Sequence, residues 1–222
     1  VVCPPIAQEY VRSHGALRQL AIALARAGHH VLRFDWFGVG DSAGSLEEAS
    51  LARFREDLGA AIEELLDRTG GRTYSLLGVR LGAAVALSSR AAASARQVIV
   101  WDPVLRGADY LRTQRALHDS LVSDPNRFWK PSHGLRPTHT ELCGFRYGPA
   151  LLDELRALDV HTPPSGAPPV HVLVSEGSVT PAGWPSTSLA ATPRWELPQA
   201  AEEKIFAAPL PQAVLSVLGG AP

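Results

Sequence analysis

The residues with chemical potential cluster in one turn. Gly78-Val79-Arg80-Leu81-Gly82 stands between a short apolar segment, Thr73 to Leu77, and an alanine-rich one, Ala83 to Leu87. Paired glycines at this spacing let a strand and a helix approach closely around a strained central residue, displaying its side chain at the top of a parallel sheet. This is the layout of a nucleophile elbow, and its central residue is an arginine. A guanidinium stays protonated and has no lone pair with which to attack a carbonyl, so Arg80 excludes acyl-enzyme chemistry at its own position. Its planar fork suits a carboxylate or phosphate, and the start of a helix adds N–H donors. The competing expectation is structural. A cation at a helix N-terminus opposes the helix dipole, so a nearby carboxylate should offset it, with Asp102 or Glu176 placed for that.

Asp102 closes the apolar run Gln97 to Trp101, and Glu176 follows Val170 to Val174 and precedes Gly177. Each acid reads either as a site carboxylate or as a turn residue at a strand end. Cys3, also at a strand end, is the tempting thiol nucleophile, but no histidine is tied to it by motif and unpaired cysteines usually pack as small hydrophobes. His118, His133 and His139 could reach a pocket, although helix-face or surface histidines are far commoner. Asp41-Ser42 reads as a loop held by side-chain to backbone bonds. Phe128, Trp129 and Tyr147 read as packing residues. No metal site is expected from the spacing of these groups, and no cofactor is expected.

The elements that must position these groups alternate. Val1 to Cys3 reads as the end of a strand stopped by Pro4-Pro5. A helical face runs from Glu9 to Ala27 with Gly28 as its cap. Val31 to Phe34 reads as a strand, followed by a glycine loop, Asp35 to Gly44. Ser45 to Glu48 has capping-box form before a helix that stops at Thr69-Gly70-Gly71. Beyond the elbow come a strand ending at Asp102-Pro103, a helix over 107–123, and a region rich in proline and aromatics. A possible lid or insertion spans 124–160. A short helix over 151–158, a proline-rich linker, a strand over 170–174, a last strand at Arg194 to Leu197 and a helix over 208–218 complete the chain. Strands alternating with helices imply parallel crossovers, with helices on both faces of the sheet.

Length and composition narrow the classes. With 222 residues, 45% of them hydrophobic, the chain suits one domain, 1–222, with a sizeable core. A net charge of -1 with no dense basic run argues against nucleic acid. No apolar run is long enough for a membrane span, and two distant cysteines with no disulfide pattern fit a cytoplasmic location. The absence of methionine and a start at the end of a strand suggest that N-terminal strands are missing. Oligomeric state is not encoded in any of these features.

The ordered set of Cys3-Pro4-Pro5 with Glu9-Tyr10, Leu32-Arg33-Phe34-Asp35 with Phe37-Gly38-Val39-Gly40-Asp41-Ser42, the elbow, and Trp101-Asp102-Pro103-Val104 resembles the α/β-hydrolase superfamily. Within it the chain is similar to hydrolase-like proteins of exosortase systems, grouped with serine aminopeptidase-like sequences. The resemblance implies an α/β-hydrolase fold, a bacterial source and the order nucleophile, acid, histidine. By that order the nucleophile maps to Arg80 and the acid to Glu176 or Asp102. The histidine has no match, since none occurs after His171. The oxyanion hole would use the backbone N–H of Leu81 and of Ile6 or Ala7, because Pro4 and Pro5 have none. The departures from that order, Arg80 at the elbow and no late histidine, point to a non-catalytic relative that binds an anionic or acyl-type small molecule, or a partner, at the old active site. The alternative is an unconventional hydrolase or acyl transferase with Arg80 as clamp.

Overall fold

The computed structural model describes residues 1–126, 140–160, 168–179, 181–191 and 193–219. In chain order they form β1 (Val2–Cys3), α1 (Ala7–Arg26), α2 (Leu51–Thr69), β2 (Leu76–Val79), α3 (Leu81–Ser88), α4 (Arg90–Ser94), β3 (Val98–Trp101), α5 (Gly107–Ser123), β4 (Glu141–Leu142), β5 (Phe145–Arg146), α6 (Pro149–Ala157), β6 (Val170–Ser175), β7 (Ser186–Leu189) and α7 (Leu210–Leu218). The central sheet runs β1-β2-β3-β6-β7 and every adjacent pair is parallel. β4 and β5 form a separate antiparallel hairpin.

Every position of β2 and β3 is buried, because the sheet is covered on both faces. Successive side chains point to opposite sides. Leu76, Val98 and Val100 join Trp36, Phe54 and Leu81 in the layer under α2 and α3. Leu77, Val79, Ile99 and Trp101 join Leu17, Leu20 and Val214 in the layer under α1 and α7. Truncating a fully buried leucine such as Leu20 in such a layer costs about 2–5 kcal/mol. Both layers end at the carboxyl edge of the sheet, where the β1–α1, β2–α3 and β3–α5 connections converge.

The structure differs from expectation in places with physical causes. Val31 to Phe34 makes a single bridge, Arg33 to Val2, because β1 offers it only two residues of ladder. The last strand is Ser186–Leu189 and not Arg194 to Leu197, which forms a turn. Exposed Ser186, Thr187 and Ser188 suit an edge strand, whereas the apolar signal at Trp195 reflects packing on Trp101, with ring centroids 5.3 Å apart. Ser45 and Glu48 do bond, at 3.0 Å, but they close a turn before α2, and Ser50 is the helix cap, accepting from the Arg53 N–H at 3.0 Å. The helix then ends at left-handed Gly70 as expected. Within 124–160, α6 buries Leu151, Leu152 and Leu155 in the core. Phe128, Trp129, His133 and His139 lie outside the described residues.

Candidate functional site

The glycine pair has the geometry its spacing demands. A Cβ on Gly78 would run into the Ala83 backbone, and one on Gly82 into the carbonyls of Cys3 and Pro4. Strand, helix and the β1–α1 turn therefore meet at van der Waals range around Arg80, which is left at φ 51°, ψ −119°. Among the described residues the other non-glycine residues at positive φ are Ala7, Asp102, Cys143 and Arg194. Arg80 and Asp102 meet at the carboxyl edge of the sheet, whereas Cys143 and Gly144 form the two-residue turn of the β4–β5 hairpin, which requires positive φ at both.

The Arg80 side chain is 10% exposed and held by two carboxylates that the sequence did not indicate. Its Nε donates to Glu9 Oε1 at 2.9 Å, and a terminal nitrogen donates to Glu196 Oε1 at 2.9 Å. The other terminal nitrogen reaches the Asp102 carbonyl at 3.3 Å. The guanidinium carbon lies 5.3 Å from the centre of the Trp195 ring. Burial opposes the charged form of Arg80, but Glu9 and Glu196 together outweigh it and hold the proton more tightly than usual.

Glu9 and Glu196 differ sharply in setting. The Glu9 side chain is 2% exposed and that of Glu196 is 49% exposed. Glu9 Oε1 also accepts from Gln114 at 3.4 Å, while Oε2 has no hydrogen-bond partner among the described residues. Burial pushes the Glu9 carboxyl above its ordinary range, against the pull of Arg80. The phenol of buried Tyr110 is pushed up by burial and then by the charge of Glu9.

Asp102 faces away from the guanidinium. Its Oδ1 accepts the Ser175 N–H at 2.9 Å and its Oδ2 accepts the Trp195 indole N–H at 2.8 Å. Ser175 Oγ in turn accepts the Trp101 indole N–H at 2.8 Å. The expected Asp102 to Arg80 side-chain pair is therefore absent among the described residues, because Asp102 Oδ1 and Oδ2 are both engaged by neutral donors. Trp195 bridges the acid and the elbow side chain. In a serine-histidine-acid site that bridging position belongs to the imidazole, which hydrogen-bonds the acid with one nitrogen and serves the nucleophile with the other. An indole has one N–H, here given to Asp102, and no basic nitrogen.

The second expected partner, Glu176, is exposed and forms no ion pair with Arg80, although both line one cleft of about 470 Å³ with Asp102, Trp195 and Glu196. A neighbouring cleft of about 370 Å³ shares Arg80, Pro103, Val179 and Glu196 and adds Val104 and Leu105. A larger hollow of about 600 Å³ lies at the amino ends of the strands beside Val1, Val31 and Leu77, away from Arg80. The chemistry favours the former pair, since open parallel sheets place their sites at the carboxyl ends of the strands. Ile6 precedes α1 and Leu81 opens α3, so the two backbone groups suggested for an oxyanion hole come from the two turns that Gly82 brings together.

The remaining candidates do not converge on the cleft. Cys3 is fully buried, which pushes its thiol up to about 12. His118 is buried, and its Nδ1 accepts the Cys143 backbone N–H at 3.0 Å. Burial and then Glu9 push the Cys143 thiol up to about 11, so that pair is no thiolate site. His171 lies in β6 and bonds Thr187 Oγ1 at 2.8 Å.

A parallel sheet with this elbow between its second strand and the following helix defines an α/β-hydrolase-fold protein. A family model described as "Serine aminopeptidase, S33" matches residues 8–133, more than half of the chain, and the protein belongs to that family. Among solved structures the chain is similar to a hydrolase from Pseudomonas aeruginosa PA01, with 22% identity, 93% of this chain and 85% of that one covered, and a TM-score of 0.55. It is also similar to a lipase-esterase related protein from Clostridium acetobutylicum ATCC 824, with 11% identity, coverage of 89% and 88%, and a TM-score of 0.51. A structure from the pair of metagenome-derived lipolytic enzymes LipS and LipT is similar at 18% identity, with coverage of 79% and 78% and a TM-score of 0.50. At these identities the likeness concerns the fold. No curated protein matches.

Proposed function

We propose that this is a non-catalytic member of its family, in which the former active site binds a small anionic or acyl-type molecule. One observation carries the reading: Arg80 holds the elbow position while the Trp195 indole occupies Asp102 at 2.8 Å, where a catalytic imidazole would be needed. The elbow residue cannot attack, and the residue beside it cannot take a proton. What persists is a cation at the floor of a cleft lined by apolar and charged side chains together, a composition suited to orienting a small ligand. The unpaired cysteines, Cys3 and Cys143, fit a cytoplasmic place of work, and the likeness to exosortase-associated sequences suggests a role beside bacterial export.

The test has two arms. Titration with small carboxylates and inorganic phosphate should give binding that Arg80→Gln abolishes, with Gln chosen because it can still bond Glu9. A panel of chromogenic esters, thioesters and aminoacyl amides should show turnover no faster than that of an Arg80→Gln, Glu176→Gln double variant. Faster turnover would establish the rival, an unconventional hydrolase or acyl transferase with Arg80 as clamp. Binding unchanged by Arg80→Gln would remove the anion site.

A further inference from the structure

We propose that Glu196 is a resident competitor for the site, and that the ligand it stands in for is a monocarboxylate with a short apolar tail. This deepens the reading above and rests on it. The two carboxylates on Arg80 are not equivalent. Glu9 is sealed, whereas the Glu196 side chain is half exposed on a surface turn and reaches the outward nitrogen of the guanidinium through one oxygen. A carboxylate so placed occupies the position a ligand carboxylate would take.

The turn that carries Glu196 is held by other groups. The Arg12 guanidinium donates to the carbonyls of Pro193, Arg194, Trp195 and Glu203 at 2.7–3.2 Å. Gln8 donates to the Ala201 carbonyl at 2.7 Å, and the Trp195 indole is fixed on Asp102 at 2.8 Å. Glu196 can therefore leave Arg80 by rotating its own side chain while its backbone stays in place. Because it lines both clefts, its departure would join them across Arg80. The joined space has the cation on its floor and Pro103, Val104, Leu105, Val179 and Trp195 as its apolar lining. Arg106, Asp109, Glu176 and Arg194 line it as two cations and two anions that offset one another.

Charge selects the ligand class. A monocarboxylate meets Arg80 with the single charge that Glu196 presents, while the displaced Glu196 carboxylate turns into solvent. A phosphate dianion brings a second negative charge towards Glu9 and Asp102, both buried and neither able to move away. Displacing a half-exposed carboxylate costs little, so competition should weaken binding by up to about fivefold.

Calorimetric titration of the whole protein and of Glu196→Ala with butyrate, benzoate and inorganic phosphate at fixed ionic strength tests this. Glu196 is exposed, so the variant folds. The expected result is that the wild type binds butyrate and benzoate more tightly than phosphate, and that carboxylate binding is tightened by up to about fivefold in Glu196→Ala. Wild-type carboxylate binding that the variant does not tighten would overturn the competitor role and leave the anion site standing. Phosphate bound more tightly than either carboxylate by the wild type would overturn the monocarboxylate assignment. No binding of any probe to either protein would overturn both this inference and the reading beneath it.

Discussion

The two ends of the Arg80 guanidinium sit in different worlds. Its inner end bonds a carboxylate with 2% exposed side chain, and its outer end bonds one with 49% exposed. Two ion pairs of equal length, both 2.9 Å, thus differ in what they do. Inside, where water cannot take over, each partner exists on condition that the other does. Outside, solvent competes for both groups, so the pair is worth little and exchanges readily. The inner pair fixes the cation, while the outer pair leaves it available.

Breaking the inner end should have the largest effect. Arg80→Ala strands Glu9, whose Oε2 already lacks a hydrogen-bond partner among the described residues, and should cost about 3–5 kcal/mol in urea unfolding at neutral pH. A loss below 1 kcal/mol would show that Glu9 is not held by Arg80. The sealed side extends to Asp102, whose two oxygens accept from Ser175 and Trp195. Asp102→Asn keeps one acceptor but turns an amide N–H towards one of those donors, and should cost about 1–3 kcal/mol.

A smaller, pH-dependent effect follows from Glu9. Its folded carboxyl is raised above the ordinary 4.5 by burial, so on raising the pH the unfolded chain releases the Glu9 proton first. The Glu9 contribution to stability is then complete below about pH 4.5 and falls as pH climbs through the raised folded value, by up to about 1.4 kcal/mol per pH unit. Unfolding of wild type and Glu9→Gln across pH 4 to 8 should diverge with that sign. Parallel curves would contradict it. The outer end should give the least: Glu196→Ala is expected to change stability by under about 1 kcal/mol, and a loss matching that of Arg80→Ala would erase the distinction between the two ends.

Much of the fold was legible because its signals are local. The glycine pair around Arg80 demanded close approach of strand and helix, and the runs at 98–101 and 170–175 are apolar enough to read as buried strands. The partners of Arg80 were not legible, because nothing in their neighbourhood marks them. Glu9 looks like an ordinary first-turn acid of an amphipathic helix, and its role depends on a connection brought to the elbow by residues 71 positions away. Trp195-Glu196 read as strand because an aromatic beside a leucine has that composition, whereas the indole is spent on Asp102. A usable signal existed nonetheless. A buried cation at a helix N-terminus requires a carboxylate, and Glu9 follows the first strand just as Asp102 and Glu176 follow theirs.

The most direct measurement follows the Arg80 guanidinium itself by proton–nitrogen NMR while butyrate is added. The expected Nε–H resonance is visible and slowly exchanging at neutral pH, stays in place through the titration, and disappears in Glu9→Gln, while the outward N–H signals shift as Glu196 is displaced. An Nε–H that exchanges freely in the absence of butyrate, or outward signals that do not move at saturating butyrate, would contradict a cation fixed from within and open to ligand from without.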